Sequence, residues 1–200
     1  MPISPSRSQN PSLCVYCGSS NNVAARHLEA AAELGRLAAG RGIGIVFGGG
    51  RVGLMGALAD GALDAGGRVT GVIPQHLQDQ EVGHNGVNEM IVVDSMHARK
   101  RRMFEISDAF CALPGGLGTL DETFEIVTWK QLGLHDRPVV LVNVDGFWDP
   151  LLALLAHQLE AGYIRPRHAG LYRVVERIES VFDAIEATPS PRRPPDSERM

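Results

Sequence analysis

Ile43-Gly44-Ile45-Val46-Phe47-Gly48-Gly49-Gly50-Arg51-Val52-Gly53-Leu54-Met55-Gly56 sets an apolar run, a cluster of glycines and the start of a helical pattern in direct succession. The run at 43–47 reads as a short strand buried on both faces, and helix-period apolar residues resume at Leu54. The same order recurs downstream. An apolar run at 109–113 leads into Pro114-Gly115-Gly116-Leu117-Gly118-Thr119-Leu120-Asp121-Glu122, which opens a second helix. Strand, glycine turn and helix form the first half of a βαβ unit, and such units build parallel sheets covered by helices.

Outward from these two turns the alternation continues. Strands are predicted at 13–17, 68–73, 90–93 and 138–142, and helices at 24–39, 54–65, 96–107, 119–132, 148–160 and 179–186. Gly66-Gly67 offers the left-handed conformation that ends a helix. Residues 75–88 are polar and aperiodic and read as a long loop. The pattern predicts one Rossmann-like α/β domain over 12–187, a parallel sheet with helices on both faces. The flanking 1–11 and 188–200 are Pro-rich, without apolar periodicity, and are expected to be disordered. Ligands of such sheets bind beyond the carboxyl ends of the strands, near a switch point. The loops that follow strands are therefore where a site is sought.

Composition narrows the function classes. The chain has 200 residues, 44% of them apolar, with a formal net charge of −4, which gives no electrostatic footprint for nucleic acid. No run approaches the ~20 apolar residues of a membrane span. The first ten residues lack the apolar core of a signal peptide, so a cytoplasmic protein is expected. Three cysteines do not make a disulfide framework. Cys14 and Cys17 form a CxxC, but alternation along a strand sends the two side chains to opposite faces, which favours core packing. The seven histidines show no ligand spacing, so neither a metal site nor a cofactor is predicted.

The first glycine loop formally matches GxGxxG. Its backbone N–H groups, at a helix N-terminus, suit a phosphate, and Gly49 and Gly50 are taken as nucleotide contacts. A dinucleotide needs an acidic residue at the end of the next strand, and that strand ends Gly71-Val72-Ile73-Pro74. A tight turn without a ligand is the alternative. Gly18 and Ser19, after the first strand, are candidate anion contacts on the same grounds.

The second loop adds a hydroxyl and a carboxylate. Thr119-x-x-Glu122 matches a capping box, with Thr119 as N-cap and Glu122 satisfying the N-cap N–H, and that structural role competes with a chemical one. A carboxylate next to a phosphate cradle is electrostatically awkward unless it has chemistry to perform, and negative charge under a sugar ring stabilises an oxocarbenium-like transition state. Arg99 lies in the apolar stripe Met96, Met103, Ile106 of the helix predicted at 96–107. A guanidinium there must be buried and paired, or must face a cleft, so it is read as a contact to nucleotide or carboxylate.

Cys17-Gly18-Ser19-Ser20, the Gly48-to-Gly56 loop, Gly71-Val72-Ile73-Pro74, Met96-His97-Ala98-Arg99-Lys100, Pro114 to Glu122 and Thr128-Trp129-Lys130-Gln131-Leu132-Gly133 together resemble the LONELY GUY (LOG) family of cytokinin riboside 5′-monophosphate phosphoribohydrolases. The resemblance runs over about 13–164. It implies hydrolysis of a cytokinin nucleotide to free base and ribose 5-phosphate by a homodimer. It implies Arg99 and Glu122 as the catalytic pair. It also implies substrate contacts from Glu81, Arg99, Lys100, Gly115, Gly116, Leu117, Gly118, Thr119, Leu120, Asp121 and Thr128. Leu117 stands where the family often has tyrosine, and Asp121 where it often has glutamate.

The family has long carried a lysine decarboxylase label, against which the residues speak. A pyridoxal phosphate enzyme needs a Schiff-base lysine, and the only lysines, Lys100 and Lys130, fall in helices with other roles. Three alternatives remain from the sequence: a general AMP hydrolase, a non-catalytic nucleotide-binding protein in which Glu122 is only a cap, and an NAD-dependent oxidoreductase.

Overall fold

The computed structural model describes residues 10–79 and 83–188. Seven strands form one sheet: β1 (Ser12–Tyr16), β2 (Gly44–Phe47), β3 (Val69–Pro74), β4 (Glu89–Val93), β5 (Ala109–Ala112), β6 (Val139–Val142) and β7 (Arg173–Val175). Every pairing is parallel, in the order β4-β3-β2-β1-β5-β6-β7. The order reverses at β1, so the chain leaves the adjacent β1 and β5 toward opposite faces of the sheet and a crevice forms beside their loops, which touch through the Gly18 N–H and the Pro114 carbonyl at 3.0 Å.

Helices cover both faces, as parallel strands require. Leu13, Val15, Ile45 and Phe47 point to the face covered by α1 (Ala25–Gly40), α2 (Leu54–Asp64) and α7 (Ser180–Glu186). Cys14, Tyr16, Val46 and Phe110 point the other way, toward α4 (Met96–Glu105), α5 (Leu117–Gln131) and α6 (Asp149–Glu160). Cys14 and Cys17 fall on opposite faces, and all three cysteines are buried and free. Against α1, α2 packs backbone to backbone: a Cβ on Gly35 would lie 2.3 Å from the Leu58 carbonyl oxygen, and one on Gly61 2.2 Å from that of Ala32.

Element by element the alternation read from the sequence is present, with ends moved by a few residues. Three differences have physical causes. The loop at 75–88 begins with a helical turn, α3 (Gln75–Gln78), and returns through an antiparallel bridge from Gly83 to Gly50. β7 went unseen because it is three residues long at an exposed sheet edge, with no apolar run. The third difference concerns the site: α5 starts at Leu117, with Gly116 as its N-cap, two residues before the predicted start. Residues 1–9 and 189–200, most of the expected disordered tails, lie outside the described residues.

Candidate active site

A cavity of about 450 Å³ opens at the switch point, within the roughly 300–1,000 Å³ usual for small-molecule sites. Cys17, Gly18 and Ser19 come to it from β1, Gly48, Gly50 and Val52 from β2, and Gly116, Leu117, Gly118, Thr119 and Glu122 from α5. Arg99 reaches it from α4.

The N-terminus of α5 decides where an anion fits. The first helical bond runs from the Leu120 N–H to the Gly116 carbonyl, so the N–H groups of Leu117, Gly118 and Thr119 precede any intrahelical acceptor. These residues line the cavity, and the helix dipole adds to their pull on negative charge. The start of α2 is tied down instead. Its N-cap Gly53 donates N–H to Asn21 Oδ1 at 2.8 Å, and Leu54 donates to the Gly18 carbonyl at 3.0 Å.

The capping-box alternative for Glu122 does not hold. Gly116 is the N-cap and makes no side-chain cap bond, while Thr119 and Glu122 lie buried inside the helix. Counting from Gly116, Glu122 is the sixth helical residue, three residues beyond where a capping carboxylate would sit. Its Oε1 faces Nη2 of Arg99 at 3.4 Å, and both side chains are only 8% exposed. Burial pushes the Glu122 carboxyl above the usual carboxylate range and the Arg99 guanidinium opposes the rise. Asp121 raises it further, Lys100 lowers it, and Glu125 raises it.

Arg99 is fixed by backbone as well as by charge. Its Nε donates to the Val72 carbonyl at 3.1 Å, so the end of β3 holds this arginine where a dinucleotide-binding strand would offer a carboxylate to a ribose. On β1 and just after it, burial pushes the Cys14 thiol up to about 12 and drives Cys17 well up too, with the Glu122 charge adding to the rise at Cys17, so both stay protonated.

Several expected substrate residues lie elsewhere. Lys100 Nζ pairs with Asp121 Oδ2 at 3.0 Å and Glu125 Oε1 at 3.1 Å, bridging α4 to α5 beside the cavity. Thr128 opens onto a separate apolar cleft of about 390 Å³ between α5 and α6. Gly49, Gly115, Leu120 and Asp121 do not line the cavity. Gly49 has φ 76° and its carbonyl accepts from the His84 N–H at 2.8 Å. Glu81 lies outside the described residues. Missed by sequence reasoning were Cys17, Gly48, the apolar wall residues Val52, Met55, Ile73 and Leu77, and the Val72 carbonyl. Leu77 gave a weak signal as an apolar residue in a polar loop; a backbone carbonyl gives none.

Fold and cavity define a Rossmann-like protein in which an open helix N-terminus faces a buried arginine–carboxylate pair. The family model described as "Possible lysine decarboxylase" matches residues 55–185. The chain is 50% identical to the "Probable cytokinin riboside 5′-monophosphate phosphoribohydrolase LOGL1" of Oryza sativa subsp. japonica, over 76% of this chain and 69% of that one. It is 43% identical to the cytokinin riboside 5′-monophosphate phosphoribohydrolase of Rhodococcoides fascians, over 88% and 89%. Among solved structures, the molybdenum cofactor carrier protein of Chlamydomonas reinhardtii aligns with a TM-score of 0.68 at 25% identity, over 89% of this chain and 97% of that one. The chain belongs to the LOG family of phosphoribohydrolases.

The residues do not fit the decarboxylase description of the family model. Lys100 is engaged by two carboxylates, Lys130 donates to the Arg137 carbonyl at 2.9 Å, and neither lines the cavity. Among the described residues no lysine lines the cavity to form a Schiff base.

Proposed function

We propose that this chain hydrolyses the N-glycosidic bond of cytokinin riboside 5′-monophosphates, releasing free base and ribose 5-phosphate. The observation that carries the reading is the buried Arg99–Glu122 pair facing the open N-terminus of α5 across one cavity. The 5′-phosphate rests on the N–H groups of Leu117, Gly118 and Thr119, and that remote anchor places the ribose over Glu122. Ionised Glu122 supplies negative charge where C1′ becomes positive as the C–N bond breaks and water adds. Arg99 keeps Glu122 ionised and oriented. The relatives' names support the cytokinin substrate, and the apolar wall of Val52, Met55, Ile73 and Leu77 suits an apolar substituent on the base.

The working unit in this reading is a cytoplasmic homodimer. Three free buried thiols suit a reducing compartment, and among the described residues no helix is long and apolar enough to cross a membrane. The α5–α6 cleft, lined by Phe124 and with the exposed Leu154 on the same α6, is the face for the second copy. Thr128 lies on it, where it meets a nucleotide only across a subunit boundary.

The test is base release from N6-isopentenyl-AMP and from AMP, followed by chromatography. Release by the wild type is expected to fall by about 10² or more in Glu122→Gln, the usual scale for one electrostatic or proton-transfer group. Equal rates on the two nucleotides favour a general AMP hydrolase. Binding of AMP without release from either substrate overturns the enzyme and leaves a carrier, as the Chlamydomonas protein of similar fold is named.

A further inference from the structure

The first glycine loop formally matches a nucleotide-binding GxGxxG, yet its first glycine faces a side chain of the protein itself. A Cβ built on Gly48 would stand 1.8 Å from Arg99 Nη2 and 3.0 Å from Arg99 Cζ. Real Cβ atoms essentially never approach other heavy atoms that closely. The nitrogen in conflict is the one that faces Glu122 Oε1. The guanidinium cannot step aside and keep its other contacts: Nε is held by the Val72 carbonyl, Nη1 lies 3.9 Å from Met96 Sδ, and Nη2 faces Glu122 Oε1 at 3.4 Å. The third neighbour, Met55 Sδ at 3.2 Å, belongs to a flexible side chain that gives way. Gly48 is not among the glycines with positive φ, so its backbone accepts alanine. What the position cannot accept is a side chain while Arg99 is in place.

We propose that Gly48 is a positioning residue for Arg99: the space left by its missing side chain seats the guanidinium against Glu122. The first glycine loop thereby serves the arginine–carboxylate pair, while phosphate binding belongs to α5. The kinetic consequence rests on the hydrolase reading; the steric one does not.

Gly48→Ala adds one methyl group and removes no contact. With Arg99 displaced by about an ångström, kcat is expected to fall by about 10²-fold. KM is expected to stay within a few-fold, because the α5 terminus is untouched. The double-mutant cycle with Arg99→Ala separates this role from a general one. In the Arg99→Ala background the methyl has room, so Gly48→Ala should change neither kcat nor Tm further. The Tm cycle is read on the protein without substrate, so it decides the proposal even if no nucleotide is hydrolysed. Should Gly48→Ala alone fail to fold, folding of Gly48→Ala/Arg99→Ala supports the seat. Wild-type kcat and Tm in Gly48→Ala overturn it. So does a penalty that carries over undiminished into the Arg99→Ala background, or failure of both variants to fold.

Discussion

Glu122 carries a charge that burial disfavours and Arg99 defends, and the balance is readable in pH. Its folded pKa stands above the ordinary value of 4.5. Between those two values the folded protein holds a proton that the unfolded chain has released. Stability from this group is therefore present at low pH and lost as pH rises through the window. Glu122→Gln has no such titration. The difference in Tm, variant minus wild type, should move in the variant's favour from about pH 4.5 upward and level off once Glu122 is ionised in both states. A constant difference across that range would show that Glu122 titrates like a free carboxylate. In the activity profile the same shift places the acid limb of kcat/KM above the usual carboxylate range. Arg99 was legible beforehand because a guanidinium inside an apolar stripe has few fates. Glu122 was only half legible. The Thr-x-x-Glu spacing fits a cap and a helix interior equally well, and the N-cap is fixed by where the backbone turns at Gly116, which side-chain pattern does not encode.

At the scale of elements, the site is held by how α4 meets α5. Arg99 pairs with Glu122, and the next residue, Lys100, pairs with Asp121 and Glu125, so two adjacent cations on one helix meet three carboxylates on the other. Lys100→Met leaves Asp121 and Glu125 unneutralised beside Glu122. The acid limb of kcat/KM should then shift to higher pH, while Lys100→Arg keeps it in place. A raised KM with an unmoved limb would mean that Lys100 contacts substrate instead. On the opposite face, the α1–α2 contact makes a contrasting pair of expectations. Gly61→Ala forces a methyl onto the Ala32 carbonyl and should cost about 1–3 kcal/mol, roughly 2–4 °C of Tm per kcal/mol. Gly40→Ala, at the end of α1 with nothing near its Cβ position, should gain about 0.5–1 kcal/mol. Thermal denaturation of the two variants checks both signs. Both residues read alike in the sequence. The crossing that separates them is made by residues some thirty apart, which local periodicity does not report.

For the whole molecule, the alternation of apolar runs with helices carried the fold, because a strand buried on both faces has no polar side to blur the pattern. What it did not carry was which loops share a cavity. That follows from the order reversing at β1, which brings the β1 and β5 loops together while leaving Thr128 on the other flank of α5. The flank itself is an unsolved burial problem in a single copy. Phe124, which lines the α5–α6 cleft, is 39% exposed, and Leu154 on α6 is 51% exposed; among the described residues the lining of the cleft holds no acidic, arginine or lysine side chain. Covering such a surface with its own copy is the symmetric solution, since a two-fold interface asks only that one patch fit itself. Leu154→Glu combined with Phe124→Glu sets like charges against each other across that axis. On the proposed homodimer, light scattering is expected to report a dimer for the wild type and a monomer for this variant. Because Thr128 sits on this face, base release should fall together with the dimer, although Arg99, Glu122 and the α5 terminus lie outside the cleft. A monomer with full activity would confine the site to one chain and remove Thr128 from it, and a persistent dimer would move the interface to another surface.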